Sequence, residues 1–206
     1  LLEKLVDQDI SDAAFPYMAC GNITVKGTRA RLFRISFSGE LAYEIAVPTR
    51  YGDAMIRALV EAGREFDAVV YGTEALGVMR VEKGHVAGNE LNGQSSALNM
   101  GLGKMVSKKK DAIGMVLSQR DGMTQANGYR LVGVKPVDPA QPLTAGAHFL
   151  AKGAEALAVN DAGWLTSVVY SPHLGHSIGL GYLKGGDTRK GERLRIVNLL
   201  AKTDVE

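Results

Sequence analysis

Glu40 stands in Phe37-Ser38-Gly39-Glu40-Leu41-Ala42-Tyr43-Glu44, where a Ser-Gly pair separates two runs of alternating apolar residues. A carboxylate at the tip of a tight hairpin reaches a cleft without its own strand burying it; the plainer role is a solvated turn residue. Arg80 falls beside Leu76 and Met79 on one face of a helix-period stretch. A guanidinium there either snorkels past apolar neighbours or pairs with an anion in a cleft. His173 and His176 lie three apart on a strand-like run, so they face opposite ways, and no further Cys or His stands near enough to complete a metal site. His85 and His148 are isolated. Lys108-Lys109-Lys110 reads as a solvated charge cluster, or as a site that attracts a polyanionic tail. Gly179-Leu180-Gly181 has the wrong spacing for a dinucleotide-binding loop and no helix after it, so it reads as a strand end with a turn. There is no Gly-x-Ser-x-Gly elbow, no phosphate-binding loop and no His-Glu-x-x-His helix.

The elements that must position these side chains fall into two styles. Phe33, Ile35 and Phe37 share one face of a strand over 29–37, and Tyr43, Ile45 and Val47 share one face of a strand over 41–47. Together they predict a hairpin with Glu40 at its mouth. A helix over about 50–64 follows, with Met55, Ile56, Leu59 and Val60 as its buried stripe, and a second helix spans 73–83 and carries Arg80. The stretch 85–108 is rich in Gly, Asn and Ser, and 111–119 reads as a short helix. From Gly128 onward, short β-like runs alternate with turn clusters at 129–135, 147–151, 155–159, 163–170, 176–183 and 193–199. The expected class is α+β, ending in an antiparallel β-barrel or jelly roll, with domains 1–125 and 126–206. No long helix is expected between 140 and 200.

Composition fits this class. The chain has 206 residues, 46% hydrophobic and 22% charged, with a net charge of +2. That excludes a disordered chain, a collagen-like chain and a coiled coil, and gives no electrostatic case for nucleic acid. No apolar run approaches the ~20 residues of a membrane-spanning helix. Cys20 is the single cysteine, so no intrachain disulfide framework or Cys-rich zinc site exists, and a reducing, cytoplasmic setting is expected. The chain opens on Leu1-Leu2-Glu3 and ends on Asp204-Val205-Glu206, and reads as a piece of a longer polypeptide.

Several phrases together resemble the aminomethyltransferase (glycine-cleavage T-protein) superfamily. Phe37-Ser38-Gly39-Glu40-Leu41-Ala42-Tyr43-Glu44 resembles its Tyr-Thr-Gly-Glu-x-Gly-Phe/Tyr-Glu signature. Arg80-Val81-Glu82-Lys83-Gly84 resembles its Arg-Leu-Glu-Ala-Gly helix end, and Met100-Gly101-Leu102-Gly103-Lys104 its Ala-Gly-Leu-Gly-Trp segment. Gly163-Trp164-Leu165-Thr166-Ser167 and Ser171-Pro172-His173-Leu174 resemble its C-terminal strands. Ala42 replaces the signature's second glycine, and Asn89-Glu90-Leu91 departs from the usual Gly-x-Asp loop. Within the superfamily, Phe33–Glu44, Tyr71–Leu76, Lys108-Lys109-Lys110-Asp111 and Leu183-Lys184-Gly185-Gly186 look like the folate-binding region of the heterotetrameric sarcosine oxidase α-subunit branch.

The resemblance implies the second half of a folate-binding αβ body followed by the family's β-barrel. The half that carries the family's catalytic Asp would lie upstream. Tetrahydrofolate is the implied cofactor; flavin and NAD would belong to absent regions or other subunits. Glu40 would accept the pterin 2-amino group and N3–H as a bidentate pair. Arg80 would orient the folate or hold Glu82 or another acid, in a cleft shared with Glu40, and Tyr43 would lie against the p-aminobenzoyl group. No residue is assigned as general acid or base. The implied activity is capture of the one-carbon unit from oxidised sarcosine as 5,10-methylenetetrahydrofolate, in a complex with other sarcosine oxidase subunits, especially the flavin-bearing β subunit. The alternatives are a glycine-cleavage-type aminomethyltransferase and a non-catalytic subunit-contact module. Neither nucleic acid nor membrane is an expected partner.

Overall fold

A computed structural model describes residues 1–200 and 202–205. Their contacts divide into two compact units, Leu1–Leu76 and Gly77–Glu206. This division by contact falls inside a helix, whereas the expected domain boundary at 125/126 follows a change in sequence character.

The first unit is built on an antiparallel sheet of β1 (Cys20–Val25), β2 (Thr28–Phe33) and β3 (Glu44–Ala46), in that order. Strand β1 adds to the expected elements. Gly21 and Asn22 dilute its alternation, yet Ile23 and Val25 fall on one face and are buried, as Ala30 and Leu32 are on β2. Lys26 and Gly27, both at positive φ, close the two-residue turn that pairs Val25 with Thr28. The β2–β3 pair is antiparallel as expected, but its turn is not tight: residues 34–43 form the connection. At Arg34 the chain stays bonded on its β1 side, where its N–H donates to the Ala19 carbonyl and its carbonyl accepts from the Met18 N–H, while the β3 side ends at the Phe33–Glu44 pair.

Helix α1 (Gly52–Gly63) packs on this sheet through Met55, Ala58, Leu59 and Ala62. Ile56 and Val60, expected in its buried stripe, are 50% and 43% exposed. Each lies one position on from Met55 and Leu59, which rotates it off the contacting face at 100° per residue. Helix α2 (Thr73–Lys83) has the expected bounds.

The second unit carries six strands: β4 (Tyr129–Val134), β5 (His148–Ala151), β6 (Gly163–Ser171), β7 (His176–Lys184), β8 (Leu194–Asn198) and β9 (Thr203–Val205). Their order is β4-β7-β6-β5-β8-β9 and every pairing is antiparallel. Among the described residues the sheet is not closed. A cavity of about 780 Å³ is lined by Val132 and Val134 of β4 and by Leu194 and Ile196 of β8, so these strands border a space instead of pairing. The core comprises Leu143, Ala147, Phe149, Leu165, Leu183, Ile196 and Val205. Between 140 and 200 the only helical pieces are three-residue turns at Ala158–Asn160 and Gly186–Thr188. The expected strand at 155–159 is absent; the segment ends in the helical turn Ala158–Asn160. The expected helix at 111–119 shrinks to α3 (Met115–Ser118), followed by α4 (Asp121–Thr124), because Gly114 at φ 87 turns the chain immediately before it.

No helix among the described residues is long and apolar enough to cross a membrane. No group of three or more His, Cys, Asp or Glu side chains among them could hold a metal ion.

Candidate functional site

Two constellations contain the residues singled out from the sequence, one in each unit. In the first unit the 34–43 connection presents Glu40, which is exposed. The connection has internal order: the Ser36 hydroxyl oxygen accepts the Gly39 N–H at 2.7 Å, and the Ser38 hydroxyl donates to Glu40 Oε2. Tyr43, at the far end, is half-buried and packs against the core of the unit. Its hydroxyl donates to the Ile10 carbonyl at 3.1 Å. Its ring is therefore committed, on at least one side, to the protein interior.

In the second unit Arg80 is not an isolated cation. Its Nη1 donates to Glu90 Oε2 at 3.0 Å and to the His85 carbonyl at 3.3 Å, and its Nη2 donates to the Ser167 hydroxyl oxygen at 2.7 Å. Glu90 has no solvent exposure. Its Oε2 also accepts the Ala87 N–H at 2.9 Å, while Oε1 accepts the hydroxyls of Thr166 at 2.5 Å and Ser167 at 2.6 Å. The peptide carbonyl of Glu90 accepts the Tyr182 and Ser95 hydroxyls. Glu82, the other acid weighed for Arg80, instead accepts the Ser171 hydroxyl at 2.5 Å.

Two adjacent strand residues ordinarily point to opposite faces. Thr166 and Ser167 nevertheless reach the same carboxylate oxygen. The register of β6 against β7 shifts between Leu165, opposite Gly181, and Ser167, opposite Leu180. Thr166 is the extra residue of a β-bulge, a device that re-aims side chains.

The electrostatics follow from this geometry. Burial pushes the Glu90 carboxyl up; the Ser167 and Thr166 hydroxyls, the Ala87 N–H and the Arg80 charge together outweigh it, and the carboxyl lies below its ordinary value. Glu90 is therefore an anion held by donors on all sides, which suits it to fixing the 85–90 loop against β6. His85 is pushed down, by burial first and then by Lys83 and Arg80.

Glu90, Thr166 and Ser167 were not expected as a cluster. The available signals were an acid in a loop that departs from the family pattern and a Thr-Ser pair inside a strand, and nothing local links them across 76 residues.

The GCVT N-terminal domain matches residues 1–110, and the glycine cleavage T-protein C-terminal barrel domain matches residues 130–205. The sarcosine oxidase subunit alpha of Rhizobium meliloti (strain 1021) is 49% identical over 199 residues, 95% of this chain and 20% of that protein. An aminomethyltransferase of Thermoanaerobacter sp. (strain X514) is 28% identical over 203 residues, 96% of this chain and 52% of that protein. The chain thus spans a fifth to about half of the length of these relatives. The crystal structure of the glycine cleavage system aminomethyltransferase T from Bartonella henselae superposes with a TM-score of 0.68 at 22% identity, over 85% of this chain and 47% of that one, which establishes the shared fold. With one domain over its first half and the other over its last third, the chain belongs to the glycine cleavage T-protein (GCVT) family.

Proposed function

We propose that this chain binds tetrahydrofolate and captures, as 5,10-methylenetetrahydrofolate, the one-carbon unit released from oxidised sarcosine. It would do so within a cytoplasmic sarcosine oxidase complex, in contact with the flavin-bearing β subunit; flavin and NAD belong to parts of that complex outside this chain. The observation that carries the reading is 49% identity to a sarcosine oxidase α subunit along 95% of the chain, well above the 28% shared with the aminomethyltransferase. The division into a folate-binding region, 1–125, and a barrel region, 126–206, belongs to the same proposal.

The residues present fit the cofactor. Glu40 is an exposed carboxylate whose orientation is held by the Ser38 hydroxyl, and a carboxylate has lone pairs on both oxygens for two parallel donors. A pterin offers such a pair in its 2-amino group and N3–H. Tyr43 anchors the end of the Glu40 connection and offers its ring edge to the p-aminobenzoyl group. Arg80 is committed to Glu90 and Ser167 within its own unit, and its proposed part in folate binding is to hold the 85–90 loop. When bound, tetrahydrofolate supplies the two amines that take up the one-carbon unit. The chain's own work is to orient that ligand and keep water from competing for the electrophile.

Glu40→Gln tests this in the intact complex. It keeps the size of the side chain and replaces one acceptor by a donor. Losing a charge-assisted hydrogen bond costs roughly 1.5–3 kcal/mol, so tetrahydrofolate affinity should fall about 10- to 150-fold. Formaldehyde release should rise while sarcosine oxidation continues. Unchanged affinity in a folded variant would reduce Glu40 to a turn residue.

A further inference from the structure

Arg34 is the one buried guanidinium of the first unit whose role in the fold is not explained by the sheet. Its side chain is 9% exposed. Nη1 donates to the Phe15 carbonyl at 2.8 Å, and Nη2 donates to Asp12. The guanidinium carbon lies 6.0 Å from the centroid of the Tyr43 ring, within cation–π range. Its Nε is the sole buried side-chain polar atom among the described residues with no hydrogen-bond partner. A buried donor left unpaired is costly, so the other contacts must hold the guanidinium firmly enough to keep it there.

These contacts converge on the two ends of one segment. Arg34 begins the connection that carries Glu40, and Tyr43 ends it. Both ends are tied to the stretch 10–19: Arg34 through its backbone to Met18 and Ala19 and through its side chain to Asp12 and Phe15, Tyr43 through its hydroxyl to Ile10. The Arg34–Tyr43 contact then joins the ends to each other. A ten-residue connection with its ends pinned has far fewer conformations than one with its ends free.

We propose that Arg34 is a positioning residue: with Tyr43 it clamps the base of the 34–43 connection and so sets the direction of the Glu40 carboxylate. The functional part of this inference rests on the folate reading of Glu40. The clamp itself is independent of that reading.

The test uses Arg34→Met, which keeps the packed stem and the backbone bonds to Met18 and Ala19 but removes every polar contact of the side chain, alongside Glu40→Gln and the double variant, in the intact protein. Backbone hydrogen exchange over 35–42 should accelerate at least tenfold, while 20–33 in β1 and β2 keeps its protection. Tetrahydrofolate affinity should fall about tenfold. The same substitution made on Glu40→Gln should cost less than threefold, because the carboxylate it positions is already impaired. Tyr43→Phe, which removes only the Ile10 tie, should produce a smaller change of the same kind. If Arg34→Met does not fold, Arg34→Lys carries the test, since one ammonium cannot serve Asp12, Phe15 and the Tyr43 ring together. Unchanged exchange over 35–42 in a folded variant overturns the clamp, and equal losses with and without Glu40 overturn the positioning role. Faster exchange with Glu40→Gln leaving folate binding intact supports the clamp and overturns the folate reading.

Discussion

Replacing Glu90 is the sharpest perturbation of the second unit. Its carboxylate receives hydrogens from four groups: the Arg80 guanidinium, the Ala87 N–H and the Thr166 and Ser167 hydroxyls. Glu90→Ala leaves a largely buried Arg80 charge without its counter-ion, strands the Ala87 donor and opens a cavity. Breaking a buried pair by removing one partner costs about 3–5 kcal/mol. Glu90→Gln keeps the shape, and rotation of the two hydroxyls lets the amide nitrogen donate to them; it loses only the charge, for a cost of about 1.5–3 kcal/mol. The double replacement Arg80→Met with Glu90→Met removes both charges and should cost less than the sum of the single changes. Urea unfolding followed by tryptophan fluorescence is the assay. Trp164 is the chain's only tryptophan and lies on β6, two residues from Thr166, with the Tyr129 ring 5.0 Å away. Its signal therefore reports the second unit at the place where the network grips it. A loss below about 1 kcal/mol for Glu90→Ala would show that the network does not hold the loop to β6, since even a surface pair contributes up to about that much.

The same network sets a pH dependence. The Glu90 carboxyl is lowered from its usual 4.5, so its contribution is fully present above that pH and is lost as the pH falls through its folded value. Urea midpoints of the unaltered protein and Glu90→Ala should therefore be furthest apart near neutrality and converge below pH 4.5; a constant gap down to pH 3 would contradict this. Gly181→Ala would place a methyl group 2.5 Å from the Trp164 carbonyl oxygen and 2.9 Å from Phe149 Cζ, so a loss of about 1–3 kcal/mol is expected in the same assay. Phe149→Ala, which empties the centre of that core, should cost about 3–5 kcal/mol.

What could be read from the sequence depended on how local the determinants were. The bounds of α2 follow from one stretch of helix-period residues, and the strands of the second unit follow from alternation between turn clusters. The stripe expected on α1 holds at Met55 and Leu59, but Ala58 and Ala62 take the places of Ile56 and Val60, because small residues pack there and carry little pattern. In place of the tight turn expected at Ser38-Gly39 stands a longer connection whose two ends, Arg34 and Tyr43, are tied to the stretch 10–19, which a hairpin pattern does not include. Glu40 stands out in the sequence because a family signature surrounds it. Glu90 was passed over because its partners Thr166 and Ser167 are distant in sequence and brought together by a bulge that alternation does not reveal.

That bulge gives β6 two opposite parities along one strand. Leu165 and Val168 both pack into the core of the second unit, although residues three apart on a regular strand face opposite sides. They agree because Thr166 inserts one step of phase between them. A point substitution at 166 or 167 changes one contact. Deletion of a single residue there would remove the bulge and leave Leu165 and Val168 two apart, so regular alternation would keep both in the core, while the Glu90 carboxylate would face one hydroxyl instead of two. The inserted residue therefore serves the ion pair and not the core, which a regular strand one residue shorter would fill equally well.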